Sequence, residues 1–210
     1  MLHIALYQPI IPQNVGNIAR TCVGMNAHLH IIGPTIVDLS DKAVKRAGLD
    51  YWNDLTLTEH KSPEAFFAWA GAPAACRPGE QQETLSRPAS SRGTQHDSQD
   101  ACPTMYAVTK FATTRFDTPA YQDNDILLFG SEREGLPPEV HARFTEAQKI
   151  AIPIPGAVRS YNLANTVAIT LATALSRAEL WPSDWAPKDG YIAENTYAPK
   201  QAARYNQDHS

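Results

Sequence analysis

The sequence predicts an α/β fold, a mainly parallel sheet flanked by helices, on three observations. Short apolar runs, "LHIALY", "HLHII", "MYAVT", "DILLFG" and "KIAIPI", recur along the chain. They are near-continuously apolar, as strands covered on both faces are. Between them lie stretches of helical periodicity, so strand, helix and strand follow one another as in parallel crossover units.

The first run is followed by the turn "QPIIPQN" and then by Val15, Ile18, Ala19, Cys22 and Val23, the apolar stripe of a helix. Asn14 stands where an N-cap would, and "HLHII" supplies the second strand. A short helix is expected around "SDKAVKRAG", a strand around "LTLTE", and a helix from Ser62 and Pro63, where proline suits the first turn. The later strands are separated by loops and by a helix near "LPPEVHARF". A final helix starts near Asn162, with Leu163, Val167, Leu171, Ala174, Leu175 and Ala178 on one face. Ala164, Ala168 and Ala172 form a small-residue stripe beside it, explained equally by close approach of another element or by simple helix propensity.

The 210 residues suffice for one main domain, expected over 1–180, with an exposed, disordered insertion at 76–103 and a C-terminal extension at 181–210. No apolar run reaches the roughly 18 to 20 residues of a membrane helix, and the N-terminus reads as a strand rather than a secretory signal. Cys22, Cys76 and Cys102 form neither CxxC nor close Cys/His spacing, so a disulfide framework or structural zinc is disfavoured and a reduced, cytoplasmic protein expected. His28 and His30, spaced to share one strand face, read as a coincidental surface pair rather than a metal site, because no carboxylate or cysteine accompanies them in that stretch. With 18 basic and 22 acidic residues the net charge is -4, so any nucleic-acid site must be a local patch.

Three polar loops break the generic pattern: "PQNVGNIARTC" at 12–22, "LLFGSEREGLP" at 127–137 and "IPIPGAVRSYNLAN" at 152–165. Neither GxGxxG after the first strand nor GxxxxGK[ST] occurs, which disfavours ordinary nucleotide hydrolysis. The second and third loops begin where strands end, and ligands of parallel sheets gather at carboxyl ends. Gly130 lets a ligand approach the backbone, Pro153 and Pro155 stiffen the next loop, and Gly156 permits a sharp turn. Ser160 and Asn162 offer hydrogen bonds to a ligand or, alternatively, cap the following helix. Asn17 and Arg20 project from one side of the first helix, where such an arginine usually makes a surface ion pair.

Taken in order, "NVGNIARTC", "FGSEREGLP" and "IPIPGAVRSYNLANTVAI" resemble the three motifs of the SPOUT superfamily of RNA methyltransferases. The likeness covers roughly residues 1–60 and 104–180. It is closer to the subgroup acting as tRNA (cytidine/uridine-34)-2'-O-methyltransferases, whose opening is matched by "LHIALYQPIIPQNVGNIARTC", "LHIIGP" and "KRAGLDYW".

The resemblance implies a C-terminal deep trefoil knot, S-adenosyl-L-methionine bound in it, and a homodimer completing the active site. It carries cofactor contacts onto Val108, Gly130, Ile152 and Ser160, and the catalytic arginine onto Arg20. Ser160 and Asn162 are further candidates for positioning the hydroxyl or the cofactor, and no metal is required. Because a guanidinium stays protonated, Arg20 is assigned to orienting the RNA and stabilising a developing oxyanion, its part in proton transfer being open. Asn14, Lys42, Lys45, Arg46, Arg133 and Arg159 are the RNA-contact candidates, a solvated helix face being the alternative for the three residues of "DKAVKRAG".

The partner implied is tRNA, at its anticodon stem-loop, whose unstacked bases suit single-strand recognition. Alternatives are another tRNA or rRNA position, or a noncatalytic RNA-binding module of the same fold. Glu134 follows Arg133 where relatives commonly carry a basic residue, and neither 76–103 nor the tail belongs to the family pattern.

Overall fold

A computed structural model describes residues 1–38, 51–71 and 103–182. Their order is β1 (His3–Tyr7), α1 (Pro12–Gly24), β2 (His28–Ile32), β3 (Leu57–His60), α2 (Pro63–Ala70), β4 (Met105–Val108), β5 (Thr114–Arg115), β6 (Ile126–Phe129), α3 (Pro138–His141), β7 (Lys149–Ala151) and α4 (Leu163–Arg177). The helix expected around "SDKAVKRAG", with Lys42, Lys45 and Arg46, lies outside the described residues. So do positions 76–102 of the expected insertion and the tail beyond 182. By internal contacts the chain divides into Met1–Leu180 and Trp181–Ser210.

Among the described residues, seven strands form one sheet in the order β3-β2-β1-β6-β4-β7-β5. Every pairing is parallel. The chain builds outward from β1 through β2 and β3, then crosses to build the other half, so the strand order reverses between β1 and β6. Such a reversal separates the loops leaving neighbouring strands and opens a crevice at their carboxyl ends.

Both faces are buried, which is why the strands read as apolar runs rather than alternations. On one face α1 and α4 pack over Ile4, Leu6, Leu29, Ile31, Leu127 and Phe129. On the other, α2 and α3 cover Ala5, Ile32, Ala107, Ile126 and Leu128. Of the expected stripe in α4, Val167, Leu171, Ala174 and Leu175 are buried and Leu163 and Ala178 half-buried, while Ala164 from the small-residue stripe and Thr170 are buried in addition. Thr170 is accommodated because its hydroxyl donates to the Thr166 carbonyl. Burial pushes the Cys22 thiol up to about 12, leaving it an unreactive core residue.

Several expectations shift. Helix α1 starts at Pro12 with Ile11 at the N-cap position, so Asn14 is not the cap but a buried residue of the first turn. Strand β3 is displaced to Leu57–His60, α3 is a single turn, and β5 is too short to leave a periodic signal. Ser62 does cap α2, accepting from the Ala65 amide.

The expectation of a surface histidine pair fails. His28 and His30 are 3% and 0% exposed, facing α2 together with His3 and His60 beneath Phe66 and Trp69. Strand alternation put them on one side as foreseen, but β2 lies between β1 and β3, so that side is interior. Burial lowers the His28 imidazole to about 4, so the ring is neutral at neutral pH.

Leu171 is fully buried on the face that α4 turns to the sheet and α1. Leu171→Ala is expected to cost about 2–5 kcal/mol, read as a lower urea midpoint with unchanged slope.

Candidate active site

The site is assembled from an uncapped helix. The residues entering α1 carry no side-chain cap, and the helix's positive end attracts an anion. Glu132, from the loop after β6, answers both needs. Its carboxylate accepts from the Ile10 amide at 2.9 Å, the Ile11 amide at 3.2 Å and the Asn14 side-chain amide at 3.0 Å. Asn14 in turn accepts at Oδ1 from Asn162 Nδ2, 3.0 Å away. Asn162 then caps α4, its Oδ1 accepting from the Ala164 amide at 2.8 Å and the Asn165 amide at 3.4 Å. One continuous network thus joins the first, second and third polar loops through single residues from each.

The second loop owes its shape to two glycines. Ser131 and Gly135 exchange backbone hydrogen bonds, and Gly135 has φ +74, a conformation that favours glycine. A Cβ on Gly130 would lie 2.1 Å from the Gly135 carbonyl carbon and 2.3 Å from the Leu136 nitrogen. Its bare backbone is therefore required by the loop folding back on itself, before any ligand is considered. Gly156, by contrast, has open space around its Cβ position and no positive φ.

Around this network opens a cavity of about 440 Å³, within the usual size range of small-molecule sites. Its walls are the carboxyl ends of β4 and β6 and the loop after β7. Val108, Gly130, Ile152 and Ser160 all line it, as do Asn14, Arg133, Arg159 and Asn162. Asn162 serves both readings offered by the sequence, as helix cap and as cavity wall. Ser160 and Arg159 are exposed on the loop.

Arg20 does not line this cavity. It lies further along α1, exposed, with its guanidinium over the Tyr51 ring at 4.9 Å. Tyr51 is held by a 2.8 Å hydrogen bond from its hydroxyl to the Gly16 carbonyl. The stacking fixes the direction of the arginine while leaving its charge toward solvent.

Sequence reasoning missed Glu132, although it noticed Arg133 and Glu134, the two residues that follow it. A signal existed: a helix opening on Ile11 and Pro12 with no Ser, Thr, Asp or Asn at its cap must find an acceptor elsewhere. Which distant residue supplies it is a property of the folded chain. Lys110 and Phe111, which follow β4 and border the cavity, were also not singled out.

A doubly covered parallel sheet with strand-end loops converging on one cavity defines an α/β protein of the kind that binds ligands at the carboxyl ends of its strands. The chain belongs to the SpoU rRNA Methylase family, whose model matches residues 1–82 and 85–172. It is 34% identical over 174 residues to a tRNA (cytidine(34)-2'-O)-methyltransferase of Methylovorus glucosotrophus, covering 83% of this chain and 94% of that one. A relative of the same name from Burkholderia cenocepacia is also 34% identical, over 178 residues, covering 85% and 96%. Among solved structures, one concerned with the 2-OH methylation of C/U34 on tRNA superimposes with TM-score 0.64 at 36% identity, covering 84% of this chain and 95% of that one. An AdoMet-bound rRNA methyltransferase from Sinorhizobium meliloti has TM-score 0.63 at 23% identity, covering 86% and 57%, a likeness of fold.

Two outcomes test the network. Glu132→Gln keeps the shape but turns an acceptor into a donor facing amides, and is expected to lower stability by about 1–3 kcal/mol in urea unfolding. Gly130→Ala is expected to cost about 1–3 kcal/mol by forcing the 131–136 loop outward, while Gly156→Ala stays within about 0.5 kcal/mol of the parent.

Proposed function

We propose that this chain is an S-adenosyl-L-methionine-dependent methyltransferase that modifies the ribose 2'-hydroxyl of the tRNA wobble nucleotide, cytidine or uridine 34. The observation that carries the reading is the convergence of Gly130, Ile152, Ser160, Asn14 and Asn162 on one cavity, on a fold whose relatives of high coverage bear that name.

The cavity fits the cofactor. The ends of β4, β6 and β7 offer apolar side chains, Val108, Phe129, Ile152 and Ile154, for a flat ring, and their exposed backbone groups suit a polar edge. When bound, S-adenosyl-L-methionine supplies a methyl group already activated on a sulfonium. Val108, Gly130, Ile152 and Ser160 would hold it, within a trefoil knot threaded by the segment after β7.

Transfer requires the 2'-oxygen aligned with that methyl, so positioning and stabilisation of the developing alkoxide are the chain's main contributions. Asn162 and Ser160 stand where they can orient the hydroxyl, and Arg133 and Arg159 can take RNA phosphates at the cavity's border. Arg20 contributes positive charge to the oxyanion and its phosphate. A water or an RNA phosphate oxygen accepts the proton, since a guanidinium does not give one up.

That Arg20 stands outside its own chain's cavity supports a homodimer in which one protomer's Arg20 serves its partner's cofactor site. Ile11, Phe111 and Tyr161, apolar yet 37%, 77% and 38% exposed at the cavity's border, are surfaces a second copy would cover. The tRNA is engaged through its anticodon stem-loop, in the cytoplasm. The family's description as an rRNA methylase favours one other reading, the same chemistry on ribosomal RNA, which mapping of the product nucleotide separates.

Methyl transfer from labelled cofactor to unmodified tRNA should place a 2'-O-methyl group at nucleotide 34. Arg20→Ala should lower transfer by about 10²–10³-fold. Cofactor binding, read by titration calorimetry, should be unchanged in that variant. Mixing Arg20→Ala with Ser160→Trp, which blocks the cavity, should restore part of the activity if the arginine serves its partner; no restoration removes the shared-site arrangement.

A further inference from the structure

We infer that His3, His28 and His30 form a binding site for one divalent late first-row metal ion of the Zn²⁺ class, separate from the methyl-transfer site. His3 and His28 open β1 and β2, and His30 is at the middle of β2, whereas the cavity described above lies at carboxyl ends. His3 and His28 are register partners across the two strands, and His30 is two residues further along β2 on the same face. The register partner of His30 is Ala5, whose methyl leaves room in the layer for three rings. The ring centroids form a triangle, 5.2 Å from His3 to each of the others and 4.1 Å between His28 and His30. Trp69 roofs it, 4.3 Å from the His30 ring and 5.5 Å from His3.

The nitrogens lie near coordination spacing and reach it by a small movement of the rings. One ligand atom from each ring lies within 4.8 Å of the other two. His3 Nδ1 and His30 Nε2 are already 3.0 Å apart. Two imidazole nitrogens bound tetrahedrally at about 2.0–2.1 Å are separated by roughly 3.3–3.4 Å, so drawing in the widest pair takes about 1.4 Å of movement. Two of the three outer nitrogens are arranged as ligand histidines require. His30 Nδ1 lies 3.0 Å from His60 Nε2, and His28 Nε2 lies 2.9 Å from Thr58 Oγ1. Such contacts fix which ring nitrogen carries the proton and which presents a lone pair. On binding, the His3 ring carries its proton on Nε2 and His30 on Nδ1, each imidazole remains neutral, and N–metal bonds take the place of the His3–His30 hydrogen bond.

The donor set selects the ion. All-imidazole sites suit zinc, copper and nickel, and the absence of any carboxylate from the triad disfavours Mg²⁺ and Ca²⁺. Elsewhere on this face the sheet presents Ala5, Ile32, Ala107, Ile126 and Leu128 to the helices, so imidazoles here depart from a pattern that apolar residues satisfy. With exposures of 1%, 3% and 0%, the site closes as the sheet forms, and a bound ion would be retained through desalting.

The test uses the full-length, tag-free chain, unfolded and refolded with ZnCl₂ or with CoCl₂, desalted, and assayed by elemental analysis. About one ion per chain is expected, with a raised thermal midpoint. The Co²⁺ form should show visible ligand-field bands, and X-ray absorption of the Zn²⁺ form should show a nitrogen-only shell with imidazole scattering. His3→Asn and His28→Asn should each lose the ion. A substoichiometric trace of metal in the refolded parent chain, or a shell without imidazoles, overturns the site and leaves a hydrogen-bonded imidazole array. Full retention by both variants also overturns it. The absorption measurement on the parent decides the matter even if a variant fails to fold, and none of these readouts depends on methyl transfer.

Discussion

The carboxylate of Glu132 at the amino end of α1 is the interaction on which the site's geometry depends. It is a long-range cap, joining positions more than a hundred residues apart in sequence, and it makes the start of one helix conditional on the fold of a distant loop. Charge-assisted hydrogen bonds to backbone amides are stronger than neutral ones, and a helix amino end adds a favourable field. The same carboxylate holds Asn14, which holds Asn162, which starts α4. Two of the molecule's principal helices are therefore begun by one polar chain of contacts, and the cavity is the space around it.

That arrangement needs a rigid frame. Parallel strands covered on both faces deliver it, because β4, β6 and β7 lie side by side and end together. Their carboxyl-end loops are then close without having to be long. Gly130 shows how tightly this is drawn, since even a methyl group there would meet the backbone of its own loop. The packing of α1 against α4 over one sheet face brings Asn14 and Asn162 within bonding distance, so core packing and polar geometry are not independent. A loss of packing between these helices would reach the cavity through that single side-chain pair.

The sheet, its parallel sense and most elements were legible in the sequence because burial on both faces leaves near-continuous apolar runs. So were the cavity walls Val108, Gly130, Ile152 and Ser160, though through family resemblance rather than periodicity. What escaped was decided by tertiary pairing. Asn14 looks like a cap because it is a cap-forming residue before an apolar stripe, yet Pro12 starts the helix earlier and Asn14 is drawn inward. Glu132 sits in a charged stretch, "SEREG", where only the fold distinguishes the inward carboxylate from its neighbours. The histidines were misread for a similar reason: two residues on β2 reveal a face, but only the neighbouring strands decide whether that face meets water.

The network also bears on how an acidic chain can meet a polyanion. Glu132 lines the cavity, and its charge is directed at the Ile10 and Ile11 amides and at Asn14. The remaining charged groups lining the cavity are Lys110, Arg133, Arg159 and Glu134, with His141 alongside. Three permanent cations thus face one uncommitted carboxylate, so the local balance is positive although the whole chain carries -4. Low-dielectric walls concentrate such a field at the mouth of a cleft, and salt shortens its reach beyond it. A phosphate backbone would therefore be drawn to this border rather than to the surface at large, and the carboxylate that builds the cavity contributes little repulsion because the start of α1 already balances it.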